Sequence, residues 1–154
     1  MPMVELPTED FDHMFSVNVR SIFLAAKYCV PHMPEGSSII STASIGGRRP
    51  RPGLTAYNAA KGAVITLTRG LASELAPKIR VNAVCPVSAP TNFDRNVFGR
   101  DMPEKLAEAV VAGIPMKRRA TSEDVANAYA FLASEDASFL TGVCLDIDGG
   151  RSIQ

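Results

Sequence analysis

The fold is decided by residues 37–62, which read SSIISTASIGGRRPRPGLTAYNAAKG. The first six residues are β-branched or polar, a composition typical of a short buried strand. Glycine, proline and arginine dominate residues 44–54, which indicates a loop. From Thr55 onwards the residues favour a helix, which we expect to end at residue 75, two residues before Pro77. The stretch therefore predicts a strand, a loop and a long helix in succession.

Further elements are predicted on both sides of this unit: a helix over about residues 9–28, a strand over 79–84, a short helix over about 103–112, a helix that starts after Thr121 and a strand over 143–147. Thr8 is the expected N-cap of the first helix, and Pro31 stops it. Thr121 and Asp124 resemble a capping box, followed by an apolar face at helical spacing, Val125, Ala128, Tyr129 and Leu132. Strands that alternate with helices indicate an α/β fold with a parallel sheet, whose ligands lie beyond the carboxyl ends of the strands.

Composition narrows the possible partners. Sixteen basic and sixteen acidic residues give no net charge, so no global field attracts nucleic acid or an anionic membrane. No run reaches the ~18 apolar residues of a membrane span, and the first residues lack the pattern of a signal peptide. Cys29, Cys85 and Cys144 have no disulfide or metal-ligand spacing and are expected to be reduced core residues. We therefore expect a cytoplasmic protein with no nucleic acid, membrane or metal among its partners.

The long helix over residues 55–75 has apolar groups on nearly every side. Such a helix must be covered on both faces, by the sheet on one and by another element or a second subunit on the other. We therefore expect a homo-oligomer, formed through the two long helices at about residues 9–28 and 55–75.

Tyr57 and Lys61 lie four residues apart at the start of this helix, so both side chains project from one face and can reach a common ligand. A free tyrosine, with a pKa of about 10, is a poor acid or base at neutral pH, but a nearby ammonium lowers that pKa. The pair alone is a weak signal. It is joined by Ser44, thirteen residues before Tyr57 in the predicted loop, and by Asn18, thirty-nine residues before Tyr57 in the first predicted helix.

This order and spacing resemble the catalytic tetrad of the short-chain dehydrogenase/reductase family. The resemblance extends along nearly the whole chain, through VNV (17–19), STASIG (41–46), YNAAKG (57–62), VNAVCP (81–86) and DGG (148–150). It implies a Rossmann-like three-layer fold, an NAD or NADP cofactor, and an oxidoreductase that interconverts a secondary alcohol and a ketone. The 3-oxoacyl-carrier-protein reductases and the glucose dehydrogenase-like members are both similar to the chain.

The resemblance implies that Tyr57 exchanges a proton with the substrate oxygen while hydride moves to or from nicotinamide. Ser44 would hydrogen-bond the same oxygen. Lys61 would lower the pKa of Tyr57 and bind the nicotinamide ribose, and Asn18 would hold a water that links Lys61 to solvent. Taken singly, Ser44 is also explained as a turn residue and Asn18 as a mid-helix amide bonded to the backbone. The Tyr57–Lys61 pair favours the catalytic interpretation.

Two further segments near the predicted site are informative. Pro86 and Thr91 match the ends of the family's Pro-Gly-x-x-x-Thr segment, whose threonine is expected to contact the nicotinamide carboxamide, although Val87 replaces the glycine.

The loop before Tyr57 holds three arginines, Arg48, Arg49 and Arg51. They are explained either as a solvated loop or as a means to attract an anionic substrate, such as a phosphorylated or acyl-carrier-linked ketone. This loop and residues 95–113 are expected to shape the substrate site.

A dinucleotide enzyme of this kind needs a glycine-rich turn after its first strand, and no such turn occurs in the 154 residues. We therefore expect an incomplete fold in one partial domain, residues 1–154, from which the N-terminal βαβ half that binds the nucleotide is absent. The strand at residues 39–40 should then lie at an exposed edge of the sheet. Three interpretations stay open: a fragment of a complete enzyme, a chain that acts only with another subunit, and a non-catalytic oligomerisation module.

Overall fold

The computed structural model describes residues 1–92, 94–95, 99 and 101–153. Within them the helices are α1 (Thr8–Phe15), α2 (Ser21–Cys29), α3 (Thr55–Leu75), α4 (Glu104–Ala112) and α5 (Ser122–Ala133). The strands are β1 (Ser37–Thr42), β2 (Ile79–Pro86) and β3 (Cys144–Ile147). The predicted strand over 37–42 and the predicted helix over 55–75 are confirmed at both ends. Part of the predicted substrate-shaping stretch, residues 96–98 and 100, lies outside the described residues.

The three strands form one parallel sheet in the order β1-β2-β3. β1 pairs with β2 from Ser37↔Ile79 to Thr42↔Val84, and β2 pairs with β3 from Ala83↔Cys144 to Pro86↔Ile147. In the described part of the chain β1 forms one edge of the sheet, as predicted. β2 continues two residues beyond its predicted end. Pro86 is tolerated there because β1 has already ended, so no ladder bond on that side requires the missing N–H.

The sheet separates two layers of helices. Ala83 and Cys85 of β2 face α3 and share a buried core with its Val64 side chain. Arg80, on the opposite face of β2, reaches α5, where its guanidinium donates to the carbonyl of Leu132 at 2.9 Å. The predicted three-layer arrangement of a Rossmann-like fold is therefore confirmed. Because the strands are parallel, their carboxyl ends all lie at the same edge of the sheet.

The start of the first helix differs from the prediction. Thr8 is predicted as the N-cap, but it is the first residue of α1, and Pro7 occupies the cap. The Pro7 carbonyl already accepts backbone bonds from Asp10 at 3.1 Å and Phe11 at 3.2 Å. Proline is tolerated at this position because only its carbonyl is needed.

The first helix is also less regular than predicted. α1 and α2 are joined by a π-helical turn over Ser16–Arg20, where the N–H of Ser21 donates to a carbonyl five residues earlier. Asn18 lies in the middle of this turn. Such turns occur frequently at functional sites, and the turn packs against α3.

The capping box before α5 is confirmed, since Thr121 and Asp124 each bind the other's backbone N–H. Cys85 and Cys144 are buried and form no disulfide, as predicted. The prediction that Cys29 is a core residue is wrong, because its side chain is exposed. Val30, the residue that follows α2, packs on the core instead, and Cys29 is left in solvent.

Candidate active site

A tight turn at Ile45–Gly47 brings the end of β1 against the first turns of α3. At Gly47 a β-carbon would lie only 2.7 Å from the backbone carbon of Lys61. At Gly46 it would lie 2.5 Å from the side-chain oxygen of the buried Asn58. Glycine permits this close backbone approach. The sequence marks this glycine pair only as part of a loop and does not reveal its packing role.

Ser44 is held between β1 and this turn, in an extended conformation. Its Oγ accepts the backbone N–H of Gly46 at 3.1 Å, which orients the side chain. The phenol of Tyr57, the third residue of α3, lies close enough to this hydroxyl for hydrogen bonding with Ser44 to lower its pKa. The structure therefore brings together two of the predicted catalytic side chains.

The acidity of Tyr57 differs from the sequence-based expectation. Burial raises the pKa of its phenol above the ordinary value, and the hydrogen bond with Ser44 and the charge of Arg51 offset only part of this effect. The expected lowering of the pKa by Lys61 is not found. The ammonium of Lys61 lies 5.8 Å from the centroid of the Tyr57 ring, and burial outweighs opposing electrostatic effects when a group is mostly removed from water.

Lys61 lies one helical turn after Tyr57 and is only 9% exposed. Its Nζ donates to the backbone carbonyl of Thr42 at 2.8 Å, at the carboxyl end of β1. Burial lowers the pKa of this ammonium. The carbonyl of Thr42 was not foreseen as part of the site, because every residue carries a carbonyl and the sequence does not single one out.

Asn18 lies in the π-helical turn, which packs against α3. Its side-chain amide donates to the carbonyl of Met14 at 2.9 Å, four residues earlier. This is the backbone-bonded arrangement given above as the alternative to a catalytic role.

Pro86 and Thr91 lie at and beyond the carboxyl end of β2. Val87, which replaces the family's glycine, donates its N–H to the carbonyl of Ile147 at 3.1 Å, and its side chain is buried in the core. The substitution is therefore accommodated by packing. Thr91 is exposed, and its carbonyl accepts the N–H of Asp94 at 3.1 Å.

Two of the three arginines in the loop before Tyr57 make structural contacts. Arg48 forms an ion pair with Asp146 at 2.8 Å and donates to the carbonyl of Cys144 at 2.7 Å. Arg49 donates to the carbonyl of Arg151 at 2.7 Å. Both tie the loop to the end of the chain. Arg51 is exposed and lies close enough to the Tyr57 phenol to affect its pKa.

None of the helices in the described residues combines the length and the apolar character that crossing a membrane requires. The same residues contain no group of three or more histidine, cysteine or acidic side chains arranged to hold a metal ion.

Comparison with known proteins gives consistent matches along the whole chain. The profile of the family described as enoyl-(acyl carrier protein) reductase matches residues 1–152. The chain is 42% identical over 155 residues to 4-formylbenzenesulfonate dehydrogenase of Comamonas testosteroni, and the match covers 99% of this chain and 62% of that protein.

Solved structures agree with this match. A 3-ketoacyl-(acyl-carrier-protein) reductase from Brucella melitensis, complexed with NADH, is 42% identical and superposes with a TM-score of 0.86 over 99% of this chain and 62% of its own. A blue fluorescent protein from a metagenomic library, complexed with NADPH, is 31% identical, with a TM-score of 0.90 over 99% of this chain and 60% of its own. The chain thus spans about three fifths of the length of these relatives. From the profile match and these relatives, the chain belongs to the short-chain dehydrogenase/reductase family.

Proposed function

We propose that the protein containing this chain is an NAD(P)-dependent oxidoreductase that interconverts a secondary alcohol and a ketone. One observation carries the proposal: the phenol of Tyr57 lies close enough to the Ser44 hydroxyl to interact with it, and the buried Lys61 lies one helical turn away. The NADH and NADPH complexes of the two similar structures support the choice of cofactor. Because the chain spans only part of the relatives' length, we assign the activity to the protein as its gene encodes it.

Tyr57 is proposed as the group that moves the proton. In reduction, its phenol donates a proton to the carbonyl oxygen as that oxygen gains negative charge, and in oxidation the phenolate takes the proton of the alcohol. The hydroxyl of Ser44 donates a hydrogen bond to the same oxygen and stabilises the developing charge. The nicotinamide cofactor, when bound, supplies or accepts the hydride.

The residues around Tyr57 have the chemistry that a nicotinamide nucleoside requires. An ammonium has three N–H donors, and the Thr42 carbonyl takes one donor of Lys61, which fixes its position and leaves others for ribose hydroxyls. Thr91 and Pro86 are proposed to contact the nicotinamide end. The relay role of Asn18, the division into a single partial domain over residues 1–154 and the cytoplasmic location stay predictions.

The substrate is proposed to be a small alcohol or ketone, and Arg51 is the arginine available to attract an anionic one. Arg48 and Arg49 are engaged with Asp146 and with the backbone of Arg151. Arg51 is exposed beside the proposed reaction centre. A preference for anionic substrates should therefore depend on Arg51 more than on the other two.

The proposal is tested by replacing Tyr57 with phenylalanine in the full gene product. Loss of the proton donor should lower kcat by about 10²–10⁴-fold, with little change in the Kd for NADH or NADPH. The matched control is Tyr28→Phe, since Tyr28 also has a lysine ammonium near its ring, at 5.6 Å, but is 64% exposed. Equal turnover in the two variants would show that Tyr57 is not the acid or base.

The alternative function, an oligomerisation module, is favoured by one surface. An apolar groove of about 490 Å³ lies between α2 and α3 and is lined by Phe23, Leu67 and Leu71, among others. We propose that a second copy of the chain covers it, because exposed apolar surface of this kind marks interaction sites. Leu71→Asp should shift the mass measured by light scattering towards the monomer. If residues 1–154 dimerise but nicotinamide fluorescence detects no binding of NADH or NADPH even by the full gene product, the module is the better interpretation.

A further inference from the structure

One ion pair outside the proposed catalytic group is unusually well buried. Arg119 Nη2 lies 2.6 Å from Asp94 Oδ2, and the two side chains are 15% and 7% exposed. The other three ion pairs of the described residues are all more exposed. Removing two charges from water is costly, and their attraction offsets this cost only when the geometry is good. The positions of Arg119 and Asp94 are therefore more tightly constrained than those of a surface ion pair.

The pair also leaves a polar group unsatisfied. Nε of Arg119 is buried and has no hydrogen-bond partner among the described residues. A buried donor without a partner lowers stability. The pair is therefore not arranged to give the fold its greatest stability. Its role is better explained by the position of the chain segment that precedes Asp94.

That segment is residues 87–92, which leads from β2 past Thr91. It is attached near its start by the N–H of Ala120, which donates to the carbonyl of Ser88 at 3.1 Å. Just beyond its end, Asp94 forms the ion pair with Arg119, the residue before Ala120. The N–H of Asp94 also donates to the carbonyl of Thr91. Ala120 is buried in the same core as Val87. Two consecutive residues thus hold both ends of the segment.

We infer that Arg119 is a positioning residue for the proposed reaction: by pairing with Asp94, it fixes the segment that carries Thr91 at the carboxyl end of β2. The carbonyl of Thr91 accepts the N–H of Asp94 at 3.1 Å, so the position of its backbone depends in part on how Asp94 is held. Arg119 acts through Asp94 and makes no proposed contact with substrate or cofactor. The inference rests on the proposed function for its effect on cofactor binding, whereas the anchoring of the segment can be measured separately.

The experiment compares Arg119→Leu and Arg119→Lys in the full gene product. The leucine variant removes the charge, whereas the lysine variant retains an ammonium that can reach the Asp94 carboxylate. Asp101→Asn is the matched control, since Asp101 pairs with Arg95 at 2.7 Å in the same part of the chain, with both side chains mostly exposed. Amide hydrogen exchange reports the opening of residues 87–92, and steady-state kinetics report KM and kcat.

In Arg119→Leu we expect amide exchange in residues 87–92 to be at least about tenfold faster. The KM for the cofactor should rise at least about fivefold, while kcat at saturating cofactor changes less than about threefold. Arg119→Lys should stay within about twofold of the parent in each quantity, and Asp101→Asn should leave amide exchange in residues 87–92 within about twofold of the parent. If Arg119→Leu does not fold, Asp94→Asn takes its place under the same criteria.

Unchanged exchange in a folded Arg119→Leu protein would overturn the anchoring, and faster exchange with an unchanged KM would overturn the link to the cofactor. A lysine variant as impaired as the leucine variant would show that the charge is not the cause. Failure of the proposed function gives a different result, since the parent protein would then not bind NADH or NADPH at all. The exchange measurement would still decide whether the ion pair anchors the segment.

Discussion

The contact between the Gly46–Gly47 turn and α3 allows a quantitative prediction for Gly47→Ala. The new β-carbon would lie 2.7–2.8 Å from three backbone atoms of Lys61 and Gly62. Non-bonded carbon atoms prefer about 3.5–4.0 Å, so one element must move by roughly 1 Å. Because backbone atoms of a long helix cannot rotate away, we expect the loop to move, at a cost of about 2–3 kcal/mol in the free energy of unfolding.

The same movement should affect the proposed site. Ser44 lies three residues before Gly47, and its hydroxyl is close enough to the phenol of Tyr57 to affect its pKa. A displacement of about 1 Å at a reaction centre lowers turnover by roughly 10²-fold. We therefore expect Gly47→Ala to impair the full gene product far more than its remaining folded fraction explains.

Gly46→Ala is the matched comparison, one residue away in the same turn. Its β-carbon would meet the end of the Asn58 side chain, which can rotate at the cost of its 3.1 Å hydrogen bond to the carbonyl of Arg51. Loss of about one hydrogen bond predicts a destabilisation of about 1 kcal/mol. The assay is urea unfolding followed by circular dichroism. Equal destabilisation of the two variants, or a larger effect at Gly46, would refute the argument from backbone contact.

Two further predictions concern titration and capping. The pKa of Tyr57 is raised in the folded state. The contribution of its phenol to the free energy of unfolding is therefore complete below the ordinary pKa of 10.0 and is lost as the pH rises through the folded-state pKa. The difference in phenolate absorbance between the parent and Tyr57→Phe should accordingly show a midpoint above pH 10.0, and a midpoint below it would contradict this. Thr121→Ala removes the capping box of α5 and should cost about 1 kcal/mol in thermal unfolding, whereas Ser122→Ala should change little; equal effects would show that the cap contributes nothing.

The sequence predicted the elements that have clear local signals. β1 and α3 have the predicted bounds because Gly36 and Pro77 interrupt regular structure close to their ends. The capping box of α5 was recognised because Thr121 and Asp124 are close in sequence. Resemblance to a family directed attention to Ser44 and Tyr57, and the structure brings these two into contact.

What the sequence did not predict depends on long-range contacts or backbone details. The π-helical turn around Asn18 arises from a shifted backbone bond that leaves the apolar pattern unchanged. The ion pair of Arg119 with Asp94 joins residues twenty-five positions apart. The acidity of Tyr57 does not follow from the sequence, because helical spacing gives the distance to Lys61 but not the burial of the phenol, which has the larger effect.

The raised pKa of Tyr57 bears on the direction of the proposed reaction. A phenol that stays protonated at neutral pH is ready to act as the acid in ketone reduction, whereas alcohol oxidation needs the phenolate. The phenolate fraction falls about tenfold for each unit by which the pKa exceeds the pH. Lys61 is not among the causes of this shift, and its ammonium lies 5.8 Å from the centroid of the Tyr57 ring. At neutral pH these residues therefore present the protonated phenol that ketone reduction needs, and the phenolate that alcohol oxidation needs becomes more populated as the pH rises.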